Sequence, residues 1–274
     1  MNSAASISQG SEYLIDWARV KEYGENSYSI TLLRCYKPPG YEPATQKAKK
    51  SVGKGKKNKG KRKKKGKGGS NSATGSVKRF ASSINRAKAI IRELAKCNKW
   101  DYYVTFTFDG QKYNRSDLVS LLKKLLTWIR NFNRLNKTKI KYLLVPEQDK
   151  DGNWHMHGLL MGLPVDHLRE VDYFRHRIIY DWDKYASKFG HVRVEEINDI
   201  NHVVEYLVKQ LTIENTSAVR NMGSKLYYSS KGLKRAEVIH QGHLTKDLEN
   251  PDFENQYVKR KHFTDFDEVM DHFN

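Results

Sequence analysis

The 274-residue chain is 38% hydrophobic, enough for a packed core in one large domain or two small ones, and it carries a formal net charge of +19. Thirteen of its basic residues fall within residues 47–67, which hold no acid, so the charge outside that run is only +6. No apolar run has transmembrane length and no signal-like stretch follows Met1, so a membrane or secreted protein is not expected and a cytoplasmic one, in a bacterial host, is. Cys35 and Cys97 lack metal-ligand spacing, and a reducing compartment argues against a disulfide between them.

Residues 12–36 alternate aromatic or aliphatic with polar side chains (Tyr28, Ile30, Leu32), which predicts two or three short strands ending at the Pro38-Pro39-Gly40 turn. We take residues 1–43 as a small N-terminal segment and 44–75 as a disordered basic linker, because Lys/Gly sequence has no apolar area to offset the entropy of ordering. Residues 55–61 fit the start of a phosphate-binding loop, but Arg62 stands where Ser or Thr is needed and no hydrophobic strand precedes it, so we reject an ATP site. The lysine run reads instead as a non-specific grip on nucleic-acid phosphates, with a merely solvated linker as the alternative. Residues 76–96 have helical spacing (Phe80, Ile84, Ala87, Ile91, Leu94), and residues 102–108, YYVTFTF, alternate strictly as a strand with Tyr103, Thr105 and Thr107 on one face.

Residues 114–135 form an amphipathic helix through Leu118, Leu121, Leu122, Leu125, Ile129 and Phe132, with Ser116 a candidate cap and Asp117 at the favourable end of the helix dipole; we read it as a core helix without a functional role. Residues 141–147 and 154–161 read as a hairpin about the Asp151-Gly152 turn, followed by a polar aromatic helix (164–189), a strand (191–197) and a helix (201–213). The sum is an α+β fold, an antiparallel sheet with helices packed on it, spanning 76–240 and followed by a C-terminal extension, 241–274, whose acidic end reads as an exposed turn.

Chemistry concentrates in the hairpin. His155 and His157 are separated by one apolar residue, so on a strand both imidazoles leave the same face and can hold one metal ion. A pairing that sets Glu147 opposite His155 adds a carboxylate and leaves coordination positions for substrate oxygens. A His-x-His tripeptide is weak alone, since chance produces it in about one such chain in three. In the 201–213 helix, Val203, Val204, Leu207, Val208 and Leu211 form one stripe while His202, Tyr206 and Lys209 share another side.

The ordered trio of YVTFTF strand, His-hydrophobe-His strand preceded by Glu147, and later Tyr-x-x-Lys helix resembles the HUH endonucleases, specifically the rolling-circle replication initiators of plasmids, phages and small single-stranded DNA viruses. The resemblance covers residues 100–233, about half the chain. It implies that Glu147, His155 and His157 bind a divalent metal, Mg²⁺ or Mn²⁺ with zinc as an alternative, and that Tyr206 is the nucleophile accompanied by Lys209. It also implies single-stranded origin DNA as substrate, a 5′-phosphotyrosine product, and a host helicase and polymerase as partners. Gln210 follows the lysine where two-tyrosine members of the family carry a second motif tyrosine, which favours a single-nucleophile enzyme. Residues 223–239 mix Tyr227 and Tyr228 with Lys225, Lys231, Lys234 and Arg235, a composition for gripping single strands, with a structural hairpin as the equal alternative. A relaxase, a transposase and a non-catalytic nucleic-acid-binding protein are the competing readings; relaxases place the tyrosine before the His pair, opposite to the order here.

Overall fold

The computed structural model describes residues 13–24, 26–36, 73–174, 177–255 and 257–274. The basic run at 47–67, the rejected phosphate loop at 55–61 and the Pro38 turn lie outside the described residues. Among those described, the first elements are β1 (Tyr13–Gly24), β2 (Ser27–Tyr36), α1 (Ala73–Lys96), β3 (Tyr102–Thr107), α2 (Leu118–Asn136), β4 (Lys141–Gln148) and β5 (Trp154–Met161). They continue with β6 (Arg169–Phe174), β7 (Arg177–Asp181), α3 (Asp183–Phe189), β8 (Val192–Glu196), α4 (Ile200–Lys209) and α5 (Ile213–Asn221). The last are β9 (Tyr228–Ser229), β10 (Glu237–Gly242), β11 (Phe253–Asn255), β12 (Val258–Phe263) and α6 (Phe266–Met270). The chain divides into two compact units, one formed within Met1–Val20, Tyr28–Ser76 and Val238–Asn274, the other within Lys21–Ser27 and Val77–Glu237.

The larger unit is an antiparallel sheet in the order β6-β7-β8-β3-β5-β4-β9 with helices on both faces, the α+β arrangement expected from the strand and helix periods. Alternation along β3 divides the unit into two cores. Val104, Phe106 and Phe108 face α2 and α3, together with Met156, Leu160, Trp182, Tyr185 and Phe189. On the opposite face, Leu143, Val145 and Leu159 meet the aliphatic stripes of α1 (Ile84, Ile91, Leu94) and α4 (Val203, Val204, Leu207, Val208). β5 is buried along nearly its whole length because it lies between β3 and β4 with helices above and below.

Three sequence expectations change in this unit. Residues 164–189 are not one helix but a short 3-10 turn, the β6–β7 hairpin and α3. Val171, Tyr173, Ile178, Ile179 and Tyr180 are β-branched or aromatic, and pairing with β8 through Ile179 and Tyr180 buries the inner strand, so sheet addition wins over a marginal helical pattern. The cap of α2 is Asp117, whose carboxylate accepts from Ser120 N at 3.1 Å, while the Ser116 hydroxyl donates to Asn114. The 201–213 helix breaks after Lys209, and α5 begins anew at a Thr212 cap.

The smaller unit is a sheet in the order β10-β1-β2-β12-β11. Residues read above as separate N-terminal and C-terminal pieces therefore share one sheet, β12 pairing antiparallel with β2 from Val258↔Leu33 to Phe263↔Tyr28. Ala18, Val20, Ile30, Leu32, Leu248, Phe263 and Val269 form its core. The acidic end is helix α6, capped by Asp265 and anchored by the fully buried Val269, rather than an exposed turn.

Gly158 stands in β5 between Val104 and Leu144. A Cβ there would collide with the Leu143 carbonyl oxygen and come within 2.6 Å of Leu144 Cδ2. Because the oxygen belongs to the backbone of β4, paired along its length with β5, Gly158→Ala is expected to destabilise the domain by about 2–3 kcal/mol, read as a lower denaturation midpoint; an unchanged midpoint would contradict this register.

Candidate active site

The site is built on three neighbouring strands. One cross-sheet rung is Glu147 (β4), His155 (β5) and Thr107 (β3); the next is Val145, His157 and Thr105. The turn that sets this register is held by Asp149, whose carboxylate accepts from the backbone of Asp151 at 3.0 Å and Asn153 at 2.8 Å, with Gly152 at φ +81°. Each imidazole is fixed through Nδ1 by a β3 hydroxyl: Thr107 Oγ1 to His155 at 3.0 Å, Thr105 Oγ1 to His157 at 3.1 Å, and Tyr103 Oη to His157 at 2.8 Å. Both Nε2 atoms are thus turned toward the carboxylates.

His157 Nε2 lies 2.6 Å from Glu147 Oε2, and His155 Nε2 lies 3.1 Å from Asp149 Oδ2. Among the described residues no three His, Cys, Asp or Glu side chains converge on one point; the arrangement is two imidazole–carboxylate pairs side by side. The donor chemistry still fits a divalent ion. Two Nε2 atoms and carboxylate oxygens come from one sheet face, and the Nδ1 hydrogen bonds supply the outer partners that orient metal-binding imidazoles.

Arg115 was not foreseen. The backbone of Trp154 donates to Arg115 O at 2.9 Å, and this brings the guanidinium within 3.1 Å of His155 Nε2 and 3.5 Å of Asp149. Nε2 cannot serve both neighbours at once, since a lone pair there accepts from Arg115 and a proton there is donated to Asp149. Burial would raise the Asp149 pKa, but hydrogen bonds from the Asn153 backbone, His155, the Asn153 side chain and the Asp151 backbone outweigh it and hold the carboxyl at about 2. The carboxylate is therefore ionised throughout the neutral range.

Glu147 is held from the other side. With its amide nitrogen turned toward the carboxylate, Gln210 donates to the two Glu147 oxygens at 2.7 and 3.2 Å. Asn215 of α5 ties the backbone on both sides of Glu147, donating to Pro146 O at 2.9 Å and accepting from Gln148 N at 3.1 Å, and it also donates to Gln210 O at 2.8 Å. Gln210 was visible in the sequence only as a departure from the two-tyrosine pattern.

Helix α4 starts at Asp199, whose carboxylate accepts from the Asn201 and His202 amides. Its aliphatic stripe is buried, which turns Tyr206 outward at 45% exposure. The Tyr206 ring meets Tyr103 edge-on at 5.9 Å and His157 at 6.3 Å, so it stands beside the His157–Glu147 pair. Tyr103 is a second hydroxyl here, but burial drives its pKa well above that of a free phenol, and it is committed to His157. Lys209 is exposed in the last turn of α4.

Residues 225–235 are split. Tyr228 pairs through β9 with Leu144 of β4, its hydroxyl accepts from Lys225 N at 3.0 Å, and it packs against the α2/α3 core. Tyr227 packs against the α1/α4 core, and Arg235 pairs with Glu93 at 2.7 Å. Lys225, Lys231 and Lys234 have exposed side chains.

A comparison with protein families matches residues 101–215 to the family of the replication-associated protein ORF2. That segment holds β3 through the first residues of α5, and so every candidate residue from Tyr103 to Asn215 named above. The match supports a replication-initiator family and a role for the chain in DNA replication. No curated protein and no solved structure matches the chain. Among the described residues no helix is long and apolar enough to cross a membrane.

Asn215→Ala removes three hydrogen bonds by which α5 fastens β4 and the end of α4. The loss should cost about 2–3 kcal/mol of stability, at roughly 1 kcal/mol each. Denaturant titration reads it; a loss under about 0.5 kcal/mol, within the scatter of a surface change, would mean that the turn holds Glu147 by other means.

Proposed function

We propose that this chain cuts and rejoins single-stranded DNA at a replication origin, with Tyr206 as nucleophile and a divalent ion at His155, His157 and Glu147. The observation that carries the reading is the seating of one exposed tyrosine ring against the imidazole that is paired with Glu147. Tyr206 is accessible to a substrate phosphate, whereas Tyr103 is partly buried and tied to His157. The match of residues 101–215 to a replication-associated family supports DNA as the substrate class.

His155, His157 and Glu147 would hold the ion, with the Asp149 carboxylate beside His155 as a further oxygen donor. When bound, Mg²⁺ or Mn²⁺ supplies positive charge that polarises the scissile phosphate. Tyr206 Oη attacks phosphorus in line: the Oη–P bond forms as the P–O3′ bond breaks, the phenol gives up its proton, and the departing 3′ oxygen takes one up. The 5′ end stays on Tyr206 as a phosphodiester, and the free 3′-hydroxyl can prime synthesis. Arg115 offers a guanidinium to a phosphate oxygen on the His155 side, and Lys209 adds positive charge one turn beyond Tyr206 on α4. Rejoining is the same step reversed, with a 3′-hydroxyl attacking the phosphotyrosine. Unwinding of duplex DNA falls to a host helicase, and extension of the primer to a host polymerase.

Covalent capture is the test. Incubation with single-stranded origin DNA and Mn²⁺ should give an adduct that carries the 5′ end of the downstream fragment and survives denaturing electrophoresis. Tyr206→Phe keeps the ring and should abolish the adduct, while Tyr103→Phe, Tyr227→Phe and Tyr228→Phe retain it; an adduct formed by Tyr206→Phe would overturn the assignment. His157→Ala should reduce cleavage to background with DNA binding retained, and full activity of that variant with Mg²⁺ would remove the metal site.

The β3 hydroxyls yield a separate expectation. Thr107→Val removes the Nδ1 partner of His155 without touching the proposed nucleophile and should lower the cleavage rate about 10–100-fold, whereas Thr105→Val leaves Tyr103 on Nδ1 of His157 and should cost less. Rates equal to the parent protein would show that the imidazoles orient without them.

A further inference from the structure

On the face of the seven-stranded sheet that carries α2 and α3, away from His155 and His157, the two helices enclose a groove of about 930 Å³. Its inner wall is aromatic. Trp128 and Tyr113 are half-buried and present ring surface, backed by the buried Phe132 and Phe189, with Trp128 5.4 Å from Phe132 and 5.5 Å from Phe189. Four lysines stand around it: Lys123 and Lys124 from α2, Lys184 and Lys188 from α3. Three of the ammonium groups lie over rings, Lys124 at 4.8 Å from Tyr113, Lys184 at 5.4 Å from Phe132 and Lys188 at 5.8 Å from Phe189.

No acidic residue lines the groove among those described, and the α2 sequence contains none, although it carries Lys123, Lys124, Arg130 and Arg134. Long aliphatic stems covering aromatic surface would be the ordinary account of such lysines. An ordinary helix surface, however, mixes charges of both signs. Here four cations surround a concavity with no carboxylate in its lining.

We propose that this groove is a second nucleic-acid site, which takes a short stretch of single-stranded DNA and holds its bases against Trp128 and Tyr113 and its phosphates against the lysines. Accessible aromatic rings stack on unpaired bases whatever their identity, and ammonium groups bind the backbone by releasing condensed counterions. Duplex DNA would keep its base faces out of reach. The lining runs from Ser120 to Asn136, about 24 Å of helix at 1.5 Å per residue, longer than one nucleotide and suited to a strand. Ser120, Thr127 and Asn131 supply polar contacts along the same wall. The inference stands apart from the nicking reading, because nothing in it uses Tyr206 or a metal ion.

The test uses the full chain in EDTA and a fluorescein-labelled 20-mer of deoxythymidine, with binding followed by anisotropy from low to high NaCl. Each phosphate contact contributes about 0.7 to the slope of log affinity against log salt. Lys123→Glu, Lys184→Glu and Lys188→Glu together should therefore flatten the slope by about 2, whereas the same charge change at Lys99, Lys139 and Lys246 should leave it as it is. In parallel, a strand carrying 5-iodouracil should photocrosslink to Trp128 or Tyr113, as mapped by mass spectrometry. An unchanged slope in the groove variant, an equal drop in the control variant, or crosslinks confined to residues outside the groove would each overturn the proposal. So would a change in sedimentation of the groove variant with its salt slope intact, which would assign the groove to a second copy of the chain.

Discussion

Two threonine–imidazole hydrogen bonds, Thr107 to His155 and Thr105 to His157, the second shared with Tyr103, turn Nε2 of each histidine toward its carboxylate. They exist because β3 and β5 pair in a register that sets those residues directly opposite each other, and that register is enforced by burial of the alternate residues, Phe106 against Met156, on the other face. A slip of one residue would turn both imidazoles into the α2/α3 core. A hydroxyl can donate or accept, so the same two threonines serve an imidazole in either tautomer.

The His157–Glu147 contact gains its meaning from this anchoring. At 2.6 Å Nε2 and the carboxylate oxygen touch directly, so an ion held by both would have to part the pair and take the space between them. The other pair is arranged differently: Arg115 already brings a fixed positive charge to His155 and Asp149, so half of the site is neutralised by the chain itself. Gln210 and Asn215 complete the frame by fixing the Glu147 carboxylate and backbone from the α4–α5 turn, the same segment that delivers Tyr206. Tyr206 and the Glu147 carboxylate are thereby linked through one short stretch of chain.

Much of this frame could be read from local sequence. Strict alternation in YYVTFTF, the Asp151-Gly152 turn and the stripe of Val203, Val204, Leu207 and Val208 suffice to bring Glu147 opposite His155 and to turn Tyr206 out of the core. The parts that could not be read depend on contacts between distant residues. Arg115 reaches His155 only because Trp154 bonds to its backbone 39 positions away, and nothing in the spacing announces that. Residues 164–189 place their apolar side chains too irregularly to separate a helix from a hairpin, and the outcome is set by β8 offering an edge. The pairing of β2 with β12 joins segments more than two hundred residues apart, beyond any local pattern. The helix α2 read in the sequence as a core helix alone, and the groove beside it required α3 to be placed.

The central claim is that one ion seats between the anchored imidazoles within reach of Tyr206. Paramagnetic relaxation by substoichiometric Mn²⁺ tests it most directly, with imidazole and tyrosine ring signals followed by NMR as Mg²⁺ is added back. The account predicts selective broadening of His155, His157 and Tyr206, reversed by excess Mg²⁺, with the acidic helix α6 unaffected. Broadening centred on Asp265, Asp267 and Glu268 while the two histidines stay sharp would contradict it.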